Sequence, residues 1–484
     1  MNPSLLQINP RVLLSTIPGA STLDDIPDSL LHEIQADGFD WVWLLGVWSI
    51  GPTSQLISRS NPLWLEEYRQ TLPDLEESDI CGSPFAIDAY TVDAKLGGDE
   101  ALSRFRTRLN ACGLKLLVDF IPNHVGFDHP WVQSHPQFFI EGSPKNRLDS
   151  PDIWAEVSPG KVYAYGRDPH YSGWPDTLQL NFFNPELRAA MRHEFVTIAQ
   201  RADGVRCDMA MLIEPEIFAK TWSKYTQPQS YTSFWPETIR AARAVNPEFV
   251  TVAEVYWNYE WKLQQHGFNY TYDKTLYDRL RQGNPTEVRA HLTASLDYQT
   301  KLVRFLENHD EERAAQAFDW GRYRAAAVLS YLTPGLRLMH HGQVTGKKIR
   351  IPVHLKRGPA EQVDHRVANF YAKFIPIMNS GTVKFGSWRL LETQESQPQH
   401  GHPPSLIAFA ITTPSNSCIT VVNFGDAPKQ GSITLPEHLI APRQSLLHDL
   451  LSTKQVHLQT SQTGHSSVQI SLTPWEACIF APAN

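Results

Sequence analysis

Several features common in other protein classes are scarce in this sequence. Charged residues make up only 19% of the chain, and no apolar run approaches the length that crosses a bilayer. Five cysteines are scattered without a CxxC pair, which excludes a zinc framework and a disulfide scaffold. The net charge of −8 argues against a nucleic-acid or anionic-membrane surface. A neutral partner fits these numbers better.

The composition otherwise predicts a folded protein with a large core. Hydrophobic residues make up 42% of the 484 positions, enough for one large domain and a smaller one. The first residues, "MNPSLLQINPRVLL", lack a basic segment followed by a continuous apolar one, so no secretory signal is evident. Together with the reduced cysteines, this leads us to expect a cytoplasmic protein; the sequence leaves its oligomeric state unknown.

Short apolar runs alternate with helical patterns over most of the chain. The alternation predicts a (β/α)8 barrel, with a doubly wound sheet as the competing fold. Asn184 and Pro185 are typical of a helix start, as N-cap and first helical residue. The predicted strands cover 11–17, 40–47, 114–121, 202–208, 249–256, 268–272, 301–308 and 336–341.

Two segments interrupt this alternation. A long stretch after the third strand, rich in Pro, His, Trp and Tyr, predicts an inserted subdomain. The tail has strand patterns only and predicts an antiparallel β-sandwich domain, with an exposed loop at 395–404. The predicted division is a barrel of 1–124 and 184–382, an insertion of 125–183 and a C-terminal domain of 383–484.

Four predicted strands end in an acid. These are Asp119 in "LLVDFIPNHVG", Asp208 in "GVRCD", Glu254 in "VTVAEVYW" and Asp310 in "VRFLENHD". Because parallel strands of a barrel all open on one face, the acids would converge on one cleft. Crowded carboxylates repel and are kept mainly where their altered acidity is used.

A pair of carboxylates in different environments is what cleavage of a glycosidic bond needs. Arg206 shares a strand face with Asp208 and would favour its ionised form, which suits a nucleophile. Glu254 follows an apolar run, where desolvation would keep it protonated as the general acid. An ion network at a barrel rim is the structural alternative for these acids.

In order and spacing, the motifs resemble the α-amylase family, glycoside hydrolase family 13. "DFIPNH", "GVRCD", "VAEVY" and "FLENHD" match its four best-known motifs. The resemblance implies a retaining hydrolase of α-glucosides or short α-glucans, with Asp208 as nucleophile, Glu254 as acid/base and Asp310 as transition-state stabiliser. It further implies an insertion corresponding to the family's domain B and a tail corresponding to its domain C.

The same resemblance implies the substrate-binding residues. They are Phe85, Asp119, His124, Arg206 and His309, of which Asp119 would either contact the sugar or support the site from behind. Phe85, preceded by Pro84, takes the place of the family's Gly-Tyr pair and would stack on the sugar without a hydroxyl.

Departures from the family pattern suggest an atypical, intracellular bacterial-type member. Met211 and Leu212 replace a Lys-His pair that helps to hold glucan, and Gln343 stands where Glu is common. Gln179 replaces an aspartate, which leaves Asn123 as the one evident candidate for the family's structural calcium. We therefore expect that the protein requires no cofactor and that no residue serves as a metal ligand. The motifs do not support a calcium site, although they do not rule one out.

Two other functions fit parts of the sequence. The segment 127–139 resembles maltosyltransferases that use a sugar phosphate, and the basic loop 345–358 would suit a phosphate, which makes a transglycosylase the alternative. A catalytically inactive binding homologue is the minor alternative, although all three acids are present. For both enzyme functions the expected partner is a carbohydrate substrate.

Overall fold

The computed structural model describes residues 1–396, 404–436, 446–460 and 466–482. Eight parallel strands close into a barrel in the spatial order β1-β8-β7-β6-β5-β4-β3-β2. The strands are β1 (Ser4–Ile8), β2 (Trp41–Leu44), β3 (Lys115–Phe120), β4 (Gly204–Cys207), β5 (Val250–Ala253), β6 (Tyr270–Tyr272), β7 (Leu302–Arg304) and β8 (Leu336–His340). The predicted (β/α)8 barrel is confirmed, and the doubly wound alternative is wrong.

Helices follow the strands and cover the barrel. The start predicted at 184–185 is confirmed, because the Asn184 side chain accepts from Glu186 N at 2.8 Å and Pro185 begins the helix. The longer helices are Pro62–Thr71, Gly98–Ala111, Pro185–Arg201, Trp235–Val245, Trp320–Tyr331 and His365–Met378. Shorter ones include Asp28–Ala36, Pro52–Ser60, Pro215–Trp222, Glu260–Gln265, Lys274–Gln282, Pro285–His291 and Gly381–Phe385.

The first predicted strand is wrong. Residues 11–17 do not form a strand, since a helix covers Pro10–Ser15 and the barrel begins one segment earlier, at Ser4–Ile8. The Asn9 side chain accepts hydrogen bonds from Arg11 N at 3.0 Å and Val12 N at 3.3 Å. An N-cap asparagine followed by proline starts a helix, and this signal outweighs the β propensity of the apolar run after it.

The insertion after β3 contains two small antiparallel sheets. His124–Gly126 pairs with Thr177–Gln179, and Lys161–Ala164 lies between Glu141–Gly142 and Trp154–Ser158. The insertion after the third strand is confirmed, and its limits at 125 and 183 stay a prediction.

The predicted C-terminal antiparallel domain is also confirmed, as a nine-stranded arrangement. Most of the loop predicted at 395–404 lies outside the described residues. The strands are Ser387–Leu391, Thr393–Glu395, Leu406–Thr412, Ser417–Asn423, Lys429–Leu435, Leu446–Asp449, Gln455–Thr460, Ser466–Leu472 and Ala477–Pro482.

Gly46 makes a tight turn just after β2. Its φ is 65°, and a Cβ added there would lie 2.2 Å from the Cβ of Pro84. Its N–H donates to Asp119 Oδ2 at 2.7 Å. Only glycine combines this backbone conformation with so close an approach, so the turn fixes Pro84 and Asp119 against the end of the barrel.

The described part of the chain contains no helix that is both long and apolar enough to pass through a bilayer. All five cysteines lie within the described ranges and are free thiols.

Candidate active site

The predicted acids gather at the carboxyl-terminal face of the barrel. Asp119 lies near the end of β3, while Asp208 and Glu254 directly follow β4 and β5. Asp310 lies in the loop after β7. Asp208, Glu254 and Asp310 line one cleft of about 370 Å³. In (β/α)8 barrels this face carries the working site.

A single guanidinium joins the two acids that follow β4 and β5. Arg206 Nη1 lies 2.8 Å from Asp208 Oδ1, and its Nη2 lies 2.7 Å from Glu254 Oε2. The side chains of all three are almost fully buried. Because strand side chains alternate, Arg206 and Asp208 point into the same site, which explains two charges so close together in an apolar segment.

Burial decides the acidity of these groups. Burial raises the pKa of Glu254 to about 7, although Arg206 opposes the shift. Burial also raises the pKa of Asp208, again against the effect of Arg206. Arg206 thus favours the ionised form of Asp208, as the sequence led us to expect, and also that of Glu254, but burial outweighs its effect on both pKa values.

Two further groups hold Glu254. The N–H of Met209 donates to Oε2 at 2.7 Å, and the hydroxyl of Tyr256 donates to Oε1 at 2.8 Å. Met209 reaches this position with a φ of 42°, a backbone conformation that non-glycine residues rarely adopt. The sequence analysis missed both contacts, since it assigned no role to Tyr256 or Met209.

His309 and Phe85 form the floor beside Asp310. His309 Nε2 lies 3.1 Å from Asp310 Oδ2, and its Nδ1 lies 2.8 Å from the side-chain nitrogen of Gln7. Phe85 stacks on His309 with ring centroids 5.4 Å apart. Burial lowers the pKa of His309 well below its usual value, so the ring is neutral and can bond to hydroxyl groups.

His124 also lines this cleft, in the strand His124–Gly126. Its ring packs against Trp174, with centroids 5.0 Å apart. Burial lowers the pKa of His124 to about 3, which makes it a second neutral imidazole. The structure thus brings Phe85, His124 and His309 to the same cleft as the three acids.

Asp119 and Arg206 stand behind the cleft wall. Asp119 is fully buried, with Oδ2 bonded to Gly46 N and Oδ1 3.5 Å from Arg206 Nη1. The Arg206 guanidinium lies 5.2 Å above the ring of Phe85. The sequence left two roles for Asp119, contact with the sugar or support of the site from behind. This geometry corresponds to support from behind.

The donor set at Asn123 and Gln179 does not fit a calcium ion. Gln179 Nε2 donates to Asn123 O at 2.9 Å, Asn123 Oδ1 at 3.0 Å and Leu180 O at 3.0 Å. The amide nitrogen of Gln179 thus bonds to oxygens that a calcium ion would need to bind itself. Across the described ranges, no group of three His, Cys, Asp or Glu side chains could hold a metal.

Gln343 and the basic loop, both noted in the sequence, have structural roles. Gln343 is buried, and its amide nitrogen donates to the hydroxyls of Tyr331 at 2.8 Å and Tyr371 at 2.7 Å. In the basic loop 345–358, Arg350 pairs with Glu67, and Arg357 pairs with Asp74 and Asp79. These two arginines are thus engaged by acids of the chain itself.

The fold and the site together define a (β/α)8-barrel protein with a buried carboxylate cluster at its carboxyl-terminal face. The sequence profile described as "Alpha amylase, catalytic domain" matches residues 85–352, more than half of the chain. The chain belongs to the α-amylase family, as its four motifs indicated.

Individual relatives agree with this assignment. Alpha-amylase 3 of Dictyoglomus thermophilum is 22% identical over 67% of this chain and 65% of its own length. Alpha-amylase MalA of Haloarcula japonica is 24% identical over 70% of this chain and 47% of its own length. The chain thus spans less than two thirds of these relatives.

A solved structure shows the same fold along the whole chain. The noncanonic maltogenic alpha-amylase AmyB of Thermotoga neapolitana superimposes with a TM-score of 0.70 at 16% identity, covering 100% of this chain and 99% of that one.

Proposed function

We propose that the chain is a retaining α-glycoside hydrolase acting on α-glucosides or short α-glucans. The observation that carries the proposal is the shared guanidinium, which places the carboxylates of Asp208 and Glu254 side by side at 2.8 and 2.7 Å from Arg206. Retaining glycosidases need two carboxyl groups close together, one to attack and one to transfer the proton.

In the first step, Asp208 attacks the anomeric carbon, and the bond from that carbon to the leaving oxygen breaks. Glu254 gives its proton to the departing oxygen, which is consistent with a pKa of about 7 that leaves it substantially protonated near neutrality. The product is a glycosyl ester on Asp208 with inverted configuration.

In the second step, the Glu254 carboxylate removes a proton from water. The oxygen of that water attacks the anomeric carbon from the face that the leaving group vacated, and the ester bond to Asp208 breaks. Two inversions restore the α configuration.

The surrounding groups support these steps. Asp310, whose side chain is 49% exposed to the cleft, accepts bonds from sugar hydroxyls together with the neutral His309 and His124. Phe85 packs against the sugar ring. Arg206 and Asp119 hold the acids in position from behind.

The configuration of the first product tests the proposal. The chain is mixed with an α-glucoside and the anomeric protons are followed by NMR within the first turnovers. The α anomer should appear first and then mutarotate. Initial release of the β anomer, or no release of sugar from any α-glucoside, would remove the proposal.

A further inference from the structure

One side of the cleft is closed by a strap, residues 350–357, which follows β8. The strap lies against the segment after β2 that contains the helix Pro62–Thr71. Arg357 Nε and Nη2 each lie 2.7 Å from an oxygen of Asp79, and the N–H of Cys81 donates to His354 O at 2.8 Å. Leu355 packs with Tyr68, Leu72 and Ile80 in an apolar cluster of its own. These contacts hold the loop after β8 against the segment after β2 on this side of the cleft.

The closed side lies across the barrel from Glu254. Around the barrel, β8, β1 and β2 are neighbours, and β5 stands opposite β1. Glu254 follows β5 and, under the proposed function, protonates the leaving group, which therefore lies on its side. The sugar on the far side of the scissile bond points toward the strap, and in an α-glucan that is the non-reducing end.

The closed side of the cleft carries a group of side chains that no motif predicted. Trp64 stacks against His354 with centroids 4.4 Å apart, and His354 Nε2 lies 3.9 Å from Asp176 Oδ2. All three line the same cleft as Asp208 and Glu254. We name Trp64, Asp176 and His354 the wall triad.

Asp176 is a buried carboxyl with one oxygen left without a hydrogen bond. It is 3% exposed, and its Oδ2 has no hydrogen bond from any described residue. An unpaired buried carboxyl oxygen is unfavourable, and a hydroxyl of a bound ligand can complete it. An aromatic surface beside an unpaired acceptor suits a sugar, with one apolar ring face and hydroxyl donors.

We propose that the wall triad is a terminal-sugar subsite, so that the enzyme attacks α-glucans only from their non-reducing end. Asp176 accepts a hydroxyl of the terminal unit, and the Trp64–His354 pair packs on its ring. Chains capped at that end and cyclic glucans do not fit. The orientation of the bound glucan rests on the proposed function. The strap and the wall triad are observed independently of it.

Binding and turnover are measured separately to test this. In the Asp208→Asn background, calorimetry compares a maltoheptaoside with the same compound carrying a 4,6-O-benzylidene cap on its non-reducing end. The uncapped compound should bind at least about tenfold more tightly. Equal affinities would overturn the inference whether or not the chain hydrolyses anything.

Substitutions in the wall give the second readout. Trp64→Ala should weaken binding of the uncapped compound about tenfold and reduce the preference over the capped one. Asp176→Asn should weaken it as well, with little change of shape. Trp261→Ala is the matched control, because Trp261 is 48% exposed on the helix Glu260–Gln265 and does not line the cleft. Unchanged binding in both wall variants would overturn the subsite.

Turnover then separates the two proposals. Wild-type enzyme should shorten maltoheptaose from one end and leave the capped compound and a cyclodextrin intact. Cleavage of the cyclodextrin at a comparable rate would overturn the inference and leave the proposed function standing. Selective binding of the uncapped compound without hydrolysis of any α-glucoside would remove the proposed function and support the terminal-sugar subsite.

Discussion

Arg206 Nη2 lies 2.7 Å from Glu254 Oε2, yet the pKa of Glu254 is raised to about 7. Burial therefore outweighs the attraction of the guanidinium for the carboxylate. A general acid works only while it holds its proton, so kcat/KM should fall as the pH rises through about 7. A pH profile on an α-glucoside with a poor leaving group checks this, and a flat profile to pH 9 would contradict it.

Tyr256→Phe should raise the alkaline limit of activity, the pH at which kcat/KM falls. The Tyr256 hydroxyl donates to Glu254 Oε1 at 2.8 Å and so favours the charged form. Its removal should raise the pKa of Glu254 and shift the limit by about half a pH unit. Tyr259→Phe is the control, since Tyr259 lies next to Lys262 and Glu216. A limit that moves downward, or moves equally in both variants, would contradict this prediction.

Asp208→Asn should abolish turnover, roughly 10⁴-fold or more, because an amide cannot form the glycosyl ester. The melting temperature should stay the same or rise, since one of several crowded acids becomes neutral. The exposed Asp149→Asn should retain activity. Wild-type rates in the Asp208 variant would remove the mechanism.

Glu254→Gln should lose activity on ordinary glucosides but still form the ester on Asp208 from α-glucosyl fluoride, whose leaving group needs no proton. Added azide should attack that ester, restore turnover of the fluoride and yield an α-glycosyl azide, because azide needs no general base. The product is identified by NMR. A β-azide, or no gain in turnover of the fluoride with azide, would exclude Glu254 as the acid/base.

Chelator treatment should leave the wild-type melting temperature within about 1 °C, since Gln179 itself bonds the three oxygens around it. Gln179→Asp should destabilise the protein by about 2–3 kcal/mol, because it removes these donors and adds a charge. Calcium should then restore part of that loss. A wild-type protein that melts earlier in chelator would contradict this account.

The sequence predicted most of the fold because its signals are local. Seven strands are short apolar runs with clear ends, and the helix at Pro185 begins with its own cap. β1 was not predicted, because the apolar run after Asn9 is longer and resembles a strand more than "SLLQI" does. Gln7, the partner of His309, was lost with it.

The motifs marked the acids because each closes an apolar run at a strand end. The wall triad has no such mark. Trp64, Asp176 and His354 come from three segments far apart in the sequence, and only tertiary packing brings them together. His354 lies in the basic loop 345–358, which the sequence analysis interpreted through its positive charges. Two arginines of this loop, Arg350 and Arg357, pair with nearby acids.

The turn at Gly46 has a practical consequence for altering sugar preference. Any side chain at position 46 would displace Pro84, and with it Phe85 and the support of Asp119. Libraries that randomise this position should therefore contain many variants with a destabilised turn. Positions 64, 176 and 354 lie outside the barrel strands, so saturation there should yield folded variants in which selectivity can evolve.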